Sequence, residues 1–326
     1  MDRKVVVATC SAEMPIRLDV VGEVLGDDVE LRAFDLPFHF GEAELPSLVA
    51  ALRDASAVLV RTGNLTAALL EQLPRLRCAS AHGTGTDQID VAAAGRNHTW
   101  VTNVPNGNIQ DVAEFTLGLI LNLLRHIPEA TTTLRRERTW DGARRVGTRL
   151  AALTVGVLGY GYTGKRVAAM CRAVGATVLA SSRSHTSGEV DGIQMVPFEQ
   201  VLARADVLSI HIPLNAATRG LLNAEALAAM KPGALIVNTA RGGIIDQHAL
   251  EDALRRGHLG GAALDVLDPE PPAFTEALLQ MPNVWVTPHM AGSTSQCLHD
   301  IARTAAEDIR RVLDGQRPKY AIRELL

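Results

Sequence analysis

The chain has 326 residues, long for one hydrophobic core, and at ~150 residues per domain its length suggests two domains. Hydrophobic residues make up 47% and charged residues 21%, a globular balance, and no apolar run reaches the ~20 residues of a membrane-spanning helix. A net charge of −4 gives no general attraction to nucleic acid.

The first residues, Met1-Asp2-Arg3-Lys4-Val5-Val6-Val7, enter a strand-like run without the apolar core and cleavage site of a signal peptide, so a cytoplasmic protein is expected. From there to residue 103 strand-like and helix-like segments alternate. Lys4–Thr9, Val29–Phe34, Ala57–Val60, 77–81 and 100–103 read as strands, and 65–73 has helical spacing. This βαβ rhythm implies a parallel sheet, and no G-x-G-x-x-G follows its first strand. A long amphipathic helix then starts near Asn108, with Val112, Phe115, Leu119, Leu123 and Leu124 at helical spacing, and connects the two halves. The basic cluster after it, Arg135, Arg136, Arg138, Arg144, Arg145 and Arg149, reads as a solvated or interfacial face, because the aromatics and folds of nucleic-acid patches are missing.

Residues 153–158 form a short apolar run suited to a strand buried on both faces. Gly159, Gly161 and Gly164 follow as G-x-G-x-x-G. The first glycine suits a tight turn, the second a close backbone approach to pyrophosphate, and the third close packing of helix on strand. Phosphate is expected on the free amides of the helix that follows. Further strands are expected at 177–180, 206–212, Ala234–Asn238, 261–266 and 283–287, and a last helix over 296–313 that packs back on the first domain. Cys10, Cys78, Cys171 and Cys297 are scattered and the ten histidines form no H-x-x-x-H pair, so neither a disulfide framework nor a metal site is encoded.

Three stretches begin at the carboxyl ends of these later strands: Asn238 to Asp246, containing Arg241; Ala263 to Pro271, containing Asp265 and Glu270; and Thr287 to Thr294, containing His289. Ligands bind at that edge of open α/β sheets, so an Arg, a Glu and a His can converge on one crevice. Together with His82-Gly83-Thr84-Gly85-Thr86-Asp87, Asn103-Val104-Pro105, Val112-Ala113-Glu114 and His211-Ile212-Pro213-Leu214, these stretches resemble the D-isomer-specific 2-hydroxyacid dehydrogenase family, and the resemblance covers nearly the whole chain.

The resemblance implies two doubly wound parallel-sheet domains, Rossmann/flavodoxin-like. The substrate domain comprises residues 1–103 plus 292–326, and the NAD(P)-binding Rossmann domain, 104–291, is inserted into it. It assigns Arg241, Glu270 and His289 to catalysis, and the chemistry suits them. Arg241 can hold the substrate carboxylate bidentately, His289 can give a proton to the carbonyl oxygen or remove one from the hydroxyl, and Glu270 can hydrogen-bond the imidazole and stabilise its charge. Backbone amides around Thr84 and Gly85 match the loop that binds the substrate carboxylate. Asp265 matches the contact to the nicotinamide carboxamide, and Tyr162, Thr163, Ile212, Pro213, Thr218, Thr239 and Ala240 match cofactor-lining positions. By resemblance Arg61 lies beside the substrate tail, where it serves either a polar or anionic group or a salt bridge.

The chain departs from the NAD-type pattern where an acid, about 20 residues past the glycines, hydrogen-bonds the ribose 2′-OH. Ser182 stands there, followed by Arg183 and Ser184, a set that binds a 2′-phosphate rather than repelling it, so NADP(H) is expected over NAD(H). Asp111 and His82 also depart from the family's usual residues, without bearing on the mechanism. Formate dehydrogenases have an amide where Glu270 stands. The expected function is hydride transfer between NADP(H) and a small 2-oxo acid/D-2-hydroxy acid pair, in the reducing direction at cellular NADPH levels, with glyoxylate, hydroxypyruvate or an arylpyruvate as candidates. The alternatives are a dinucleotide-binding corepressor-like interaction protein, which the lack of extra tails disfavours, and an NAD-dependent phosphoglycerate-type dehydrogenase, which the lack of a further C-terminal domain disfavours. The expected partners are a small-molecule acid and, from the helix after Asn108, a second copy in a homodimer, with no nucleic acid and no membrane.

Overall fold

In the computed structural model, residues 4–140, 142, 145–185 and 187–322 are described; Arg144 of the arginine cluster, the first three residues and the last four lie outside them. The chain divides into two units: residues 1–108 with 293–326, and residues 109–292.

The sheet of the first unit has five parallel strands, β1 (Lys4–Thr9), β2 (Val29–Phe34), β3 (Ala57–Val60), β4 (Cys78–Ala81) and β5 (Trp100–Thr102), in the order β2-β1-β3-β4-β5. Alternate side chains of β1 serve two cores. Val5 and Val7 join one cluster, Val6 and Ala8 another, as the period of a strand covered on both faces requires. The second cluster includes the helix Ser295–Leu313, whose Ile301, Ala305, Ile309 and Val312 form a buried stripe at helical spacing. Thr294 caps this helix by accepting from the Cys297 amide at 3.0 Å. The 65–73 segment is helical only over Ala67–Leu70. Leu65 bridges to Ile89 as extended chain, Thr66 caps the helix, and Pro74 follows.

The second unit holds eight strands: β6 (Thr154–Leu158), β7 (Thr177–Ser181), β8 (Gly188–Val190), β9 (Ile193–Met195), β10 (Val207–Ile210), β11 (Ala234–Asn238), β12 (Leu259–Leu264) and β13 (Val284–Val286). Their order is β13-β12-β11-β10-β6-β7-β9-β8. All pairs are parallel except β8 with β9, a short antiparallel hairpin at one edge that the sequence pattern does not announce. Helices Ile109–Arg125, Tyr162–Ala173 and Gln247–Arg255 cover the faces, and the chain runs from β6 outward to β7 before returning to β10 on the other side. That reversal puts the topological switch point between β6 and β10, where a doubly wound sheet opens a crevice for ligands.

Candidate active site

The glycine turn lies at this switch point. Gly159 has φ +99°, and a Cβ there would strike the His211 carbonyl oxygen at the end of β10. A Cβ on Gly164 would overlap the Gly159 carbonyl oxygen, so the helix reaches the turn only because that residue lacks a side chain. Gly161 is different, since a Cβ there meets nothing within 4 Å. Open space at Gly161, beside a helix start with no side-chain cap, matches what a pyrophosphate needs, and these residues fit a dinucleotide. Tyr162 begins the helix and is 71% exposed, and Thr163 is half-buried.

The Gly159 amide donates to the Ser181 carbonyl at 2.9 Å, which brings the end of β7 beside the turn. Ser182 Oγ accepts from the His185 amide at 3.1 Å and lies 3.3 Å from Ser184 Oγ, while Arg183 is exposed. On the other side, Ile212 and Pro213 follow β10. The Thr218 hydroxyl donates to Pro213 O at 2.6 Å and accepts from the Asn215 amide at 2.8 Å, closing this loop on itself. Thr239 Oγ1 sits 2.9 Å from Thr116 Oγ1 on the helix Ile109–Arg125.

Three adjacent strand ends carry Arg241, Glu270 and His289. Arg241, after β11, has extended backbone and donates from Nη1 to Ala240 O at 2.8 Å. Its backbone is set by Asn238, which is fully buried. The Asn238 Oδ1 accepts from the Ala240 amide at 3.0 Å and its Nδ2 donates to Arg241 O at 2.9 Å. Sequence reasoning gave Asn238 no role, although a polar residue ending an apolar buried strand was a usable signal.

After β12, Glu270 Oε1 accepts from the Leu267 amide at 3.0 Å and Oε2 lies 2.7 Å from His289 Nδ1. A carboxylate only accepts, so the Nδ1 proton points at Glu270 and Nε2 is left for a reacting group. Both side chains are partly exposed. His289 has φ +49°, a conformation uncommon outside glycine that persists only where its surroundings hold it. The holder is Asp265. Its buried carboxylate accepts from Thr287 Oγ1 at 2.6 Å, the Met290 amide at 2.9 Å and the Ala291 amide at 2.8 Å, and its carbonyl accepts from the His289 amide at 2.9 Å. Burial pushes the Asp265 carboxyl up, with these hydrogen bonds opposing the shift. Asp265 thus anchors the histidine loop, which sequence reasoning missed.

In the first unit, Thr84 and Gly85 follow β4. Asn103 Nδ2 donates to Thr84 O at 2.6 Å, and Thr84 Oγ1 lies 3.2 Å from both Val104 O and Asn108 Oδ1. Among the described residues no protein group accepts from the Thr84 or Gly85 amides. Arg61, after β3, donates from Nη1 to His82 Nδ1 at 3.0 Å, and among the described residues no carboxylate pairs with it. All four cysteines are free thiols, and among the described residues no group of three or more His, Cys, Asp or Glu could hold a metal ion. No helix among them is long and apolar enough to cross a membrane.

Comparison with known proteins agrees with this arrangement. Residues 117–291 match the family described as D-isomer specific 2-hydroxyacid dehydrogenase, NAD binding domain. The D-3-phosphoglycerate dehydrogenase of Mycobacterium leprae is 39% identical over 295 residues, covering 90% of this chain and 54% of that one, so the chain spans about half the length of the curated relatives it matches. Among solved structures, the TT0316 protein of Thermus thermophilus superposes with a TM-score of 0.86 at 30% identity, over 98% of this chain and 99% of that one. An NADPH-dependent glyoxylate/hydroxypyruvate reductase of Sinorhizobium meliloti, solved with NADP and malonate, superposes with a TM-score of 0.84 at 28% identity, over 99% of this chain and 98% of that one. Motifs, fold and relatives agree, and the chain belongs to the D-isomer specific 2-hydroxyacid dehydrogenase family.

Proposed function

We propose that the protein reduces a small 2-oxo acid to a D-2-hydroxy acid with NADP(H) as cofactor. The observation that carries this reading is the 2.7 Å pair of His289 Nδ1 and Glu270 Oε2, which leaves Nε2 as the proton-transferring nitrogen. Bound NADPH supplies the hydride. Gly159, Gly161, Gly164, Tyr162 and Thr163 hold its pyrophosphate, Ile212, Pro213, Thr218, Thr239 and Ala240 line it, and Asp265 orients the nicotinamide end. Arg241 and the Thr84 and Gly85 amides bind the substrate carboxylate, and the guanidinium also polarises the neighbouring carbonyl. His289 then gives its Nε2 proton to the carbonyl oxygen, and Glu270 stabilises the imidazolium charge beforehand. In the oxidising direction the same nitrogen removes the hydroxyl proton.

NADP(H) is preferred in this reading because no carboxylate stands at position 182 to repel a 2′-phosphate, and Ser182, Arg183 and Ser184 supply donors for one. The 39% identity to phosphoglycerate dehydrogenases supports a second reading, NAD-dependent oxidation of a phosphorylated hydroxy acid. A panel of 2-oxo acids and 3-phosphoglycerate, each assayed with both cofactors, separates the two. We expect kcat/KM for the oxo acids to be at least about tenfold higher with NADPH, and equal or better values with NADH would overturn the cofactor assignment. The four free thiols suit a reducing, cytoplasmic setting.

We also propose a homodimer. The helix Ile127–Glu137 has no buried residue, and Leu121, Ile127, Leu134, Trp140 and Val146 are all exposed, the last two by 92% and 83%. So much apolar surface on one stretch suits a second copy of the chain. Light scattering at micromolar protein is expected to give twice the 34.9 kDa chain mass, and a monomer at that concentration refutes the assignment.

A further inference from the structure

Glu270 can aim at His289 only if the loop that carries it stands still, and that loop has little backbone support. After β12, Leu267 is buried in the core, and from Asp268 onward the chain comes to the surface. Pro269, Pro271 and Pro272 have no N–H to donate. Among the described residues, 266–272 make no backbone-to-backbone hydrogen bond. Side chains hold them instead. Gln247, which opens the helix Gln247–Arg255, accepts from the Asp268 amide at 2.8 Å through Oε1 and donates to the Asp268 carbonyl at 3.0 Å through Nε2. Arg219 Nη1 donates to Asp268 Oδ2 at 2.8 Å. Arg219 belongs to the loop after β10, next to Thr218, and its amide donates to Asn215 O at 2.9 Å. The Gly220 amide donates to Gly243 O at 2.8 Å, in the turn that carries Arg241. A Cβ on Gly243 would stand 2.7 Å from Asp268 Oδ2 and 2.9 Å from Arg219 Nη1, so the ion pair closes directly over that turn. Three loops therefore meet at Asp268. Both charged side chains are exposed, and an ion pair in that setting adds little to folding stability. Its effect is on where the loops stand.

We propose that Arg219 and Gln247 are positioning residues of the reaction: by holding Asp268 they keep Glu270 against His289, and they tie the acid's loop to the loops of Thr218 and Arg241. This rests on the reading of the chain as a 2-oxo acid reductase. Both residues act through the Glu270 carboxylate, whose Oε2 lies 2.7 Å from His289 Nδ1. That carboxylate is partly exposed, so packing alone does not confine it. Freed at Asp268, it samples positions off the imidazole, and a shift of ~1 Å at a catalytic group costs as much as about 10²-fold in rate. Because Arg219 sits beside Thr218, a dinucleotide resting on that loop also steadies the partner of the proton donor.

The test follows Arg219→Met and Gln247→Leu, alone and in a Glu270→Gln background, with NADPH and the best 2-oxo acid of the panel. Each single variant is expected to lower kcat at least about tenfold while KM for the acid and for NADPH stays within about twofold. In the Glu270→Gln background, where the carboxylate is already gone, either change is expected to cost less than about twofold more. The Arg219 bond is monodentate, so Arg219→Lys, which keeps a charge and a donor, restores most of the loss. A second readout needs no turnover: the titration of the His289 ring by nuclear magnetic resonance, assigned by its disappearance in His289→Ala. The carboxylates acting on that ring are Glu270 at Nδ1 and Asp265 beneath its loop. Loosening Glu270 is expected to move the midpoint at least about 0.5 pH units lower in Arg219→Met, whereas direct loss of a positive charge would move it higher. Additive losses in the Glu270→Gln background, a rise in KM in place of the fall in kcat, no rescue by Arg219→Lys, or a midpoint that stays or rises overturns the proposal. If no oxo acid is reduced but the midpoint falls in Arg219→Met and returns in Arg219→Lys, the reductase reading falls and the positioning of Glu270 stands. If oxo acids are reduced and neither variant changes kcat or the midpoint, the reductase reading stands and the positioning role falls.

Discussion

His82 in the first unit and His289 in the second each lie just past a strand at the carboxyl edge of a parallel sheet, and each has Nδ1 engaged, but by opposite partners. A guanidinium donates to His82, which is buried, so its proton is confined to Nε2 and the ring stays neutral. A carboxylate accepts from His289, which is half-exposed, so Nε2 can take up or release a proton while the ring keeps its aim. The neighbour's charge and the access of water decide whether a histidine is a fixed dipole or a proton carrier. In the first unit the partner fixes the tautomer and shuts the ring off from protons, and in the second it fixes the aim and leaves the outer nitrogen open.

The comparison breaks most sharply at His289. His289→Ala is expected to lower kcat/KM about 10³-fold at neutral pH, in the range of a lost general acid, with the fold unchanged by circular dichroism. A variant retaining full activity would make His289 a structural residue like His82. A smaller effect is expected at the cofactor. Ser182→Asp restores the acid of an NAD-type strand end and is expected to move the NADPH-to-NADH ratio of kcat/KM at least about tenfold toward NADH, through 2′-phosphate repulsion and a new ribose hydrogen bond. An unmoved ratio means that the end of β7 does not read the 2′ position.

The strands were legible because parallel strands covered on both faces are continuous apolar runs, and this chain writes most of them in valine, alanine, leucine and isoleucine. The hairpin of β8 and β9 escaped because three-residue strands with exposed Gly188, Glu189 and Gln194 have no such run. Gly159 and Gly164 were legible because only glycine fits where carbonyl oxygens stand. The supports of the site were not. Asp265 meets Thr287, Met290 and Ala291 at separations of 22 to 26 residues, and Arg61 meets His82 at 21, contacts that exist only once strand order and register are known. Sequence spacing finds residues that touch a ligand through a local motif, and misses those that hold the motif in place.

The smallest effect concerns stability, and its sign follows from the direction of the His82 shift. The folded protein holds His82 at about 3, against about 6.5 for an unperturbed imidazole. Below about pH 6.5 the unfolded chain binds a proton at this position that the folded chain refuses. The stability contributed by neutral His82 is therefore complete above that pH and is lost as pH falls toward 3. Between pH 7 and pH 5 the loss amounts to about 2 kcal/mol. The second unit has its own case in His211, which burial pushes down to about 4, so acid is expected to weaken both units. Trp100 of β5 reports on the first unit alone once Trp140 and Trp285 are replaced by Phe. In that background His82→Gln should flatten the fall in urea midpoint between pH 7 and pH 5. If the two proteins lose stability in parallel, His82 takes up its proton in the folded state, and the hydrogen bond from Arg61 does not hold the ring neutral.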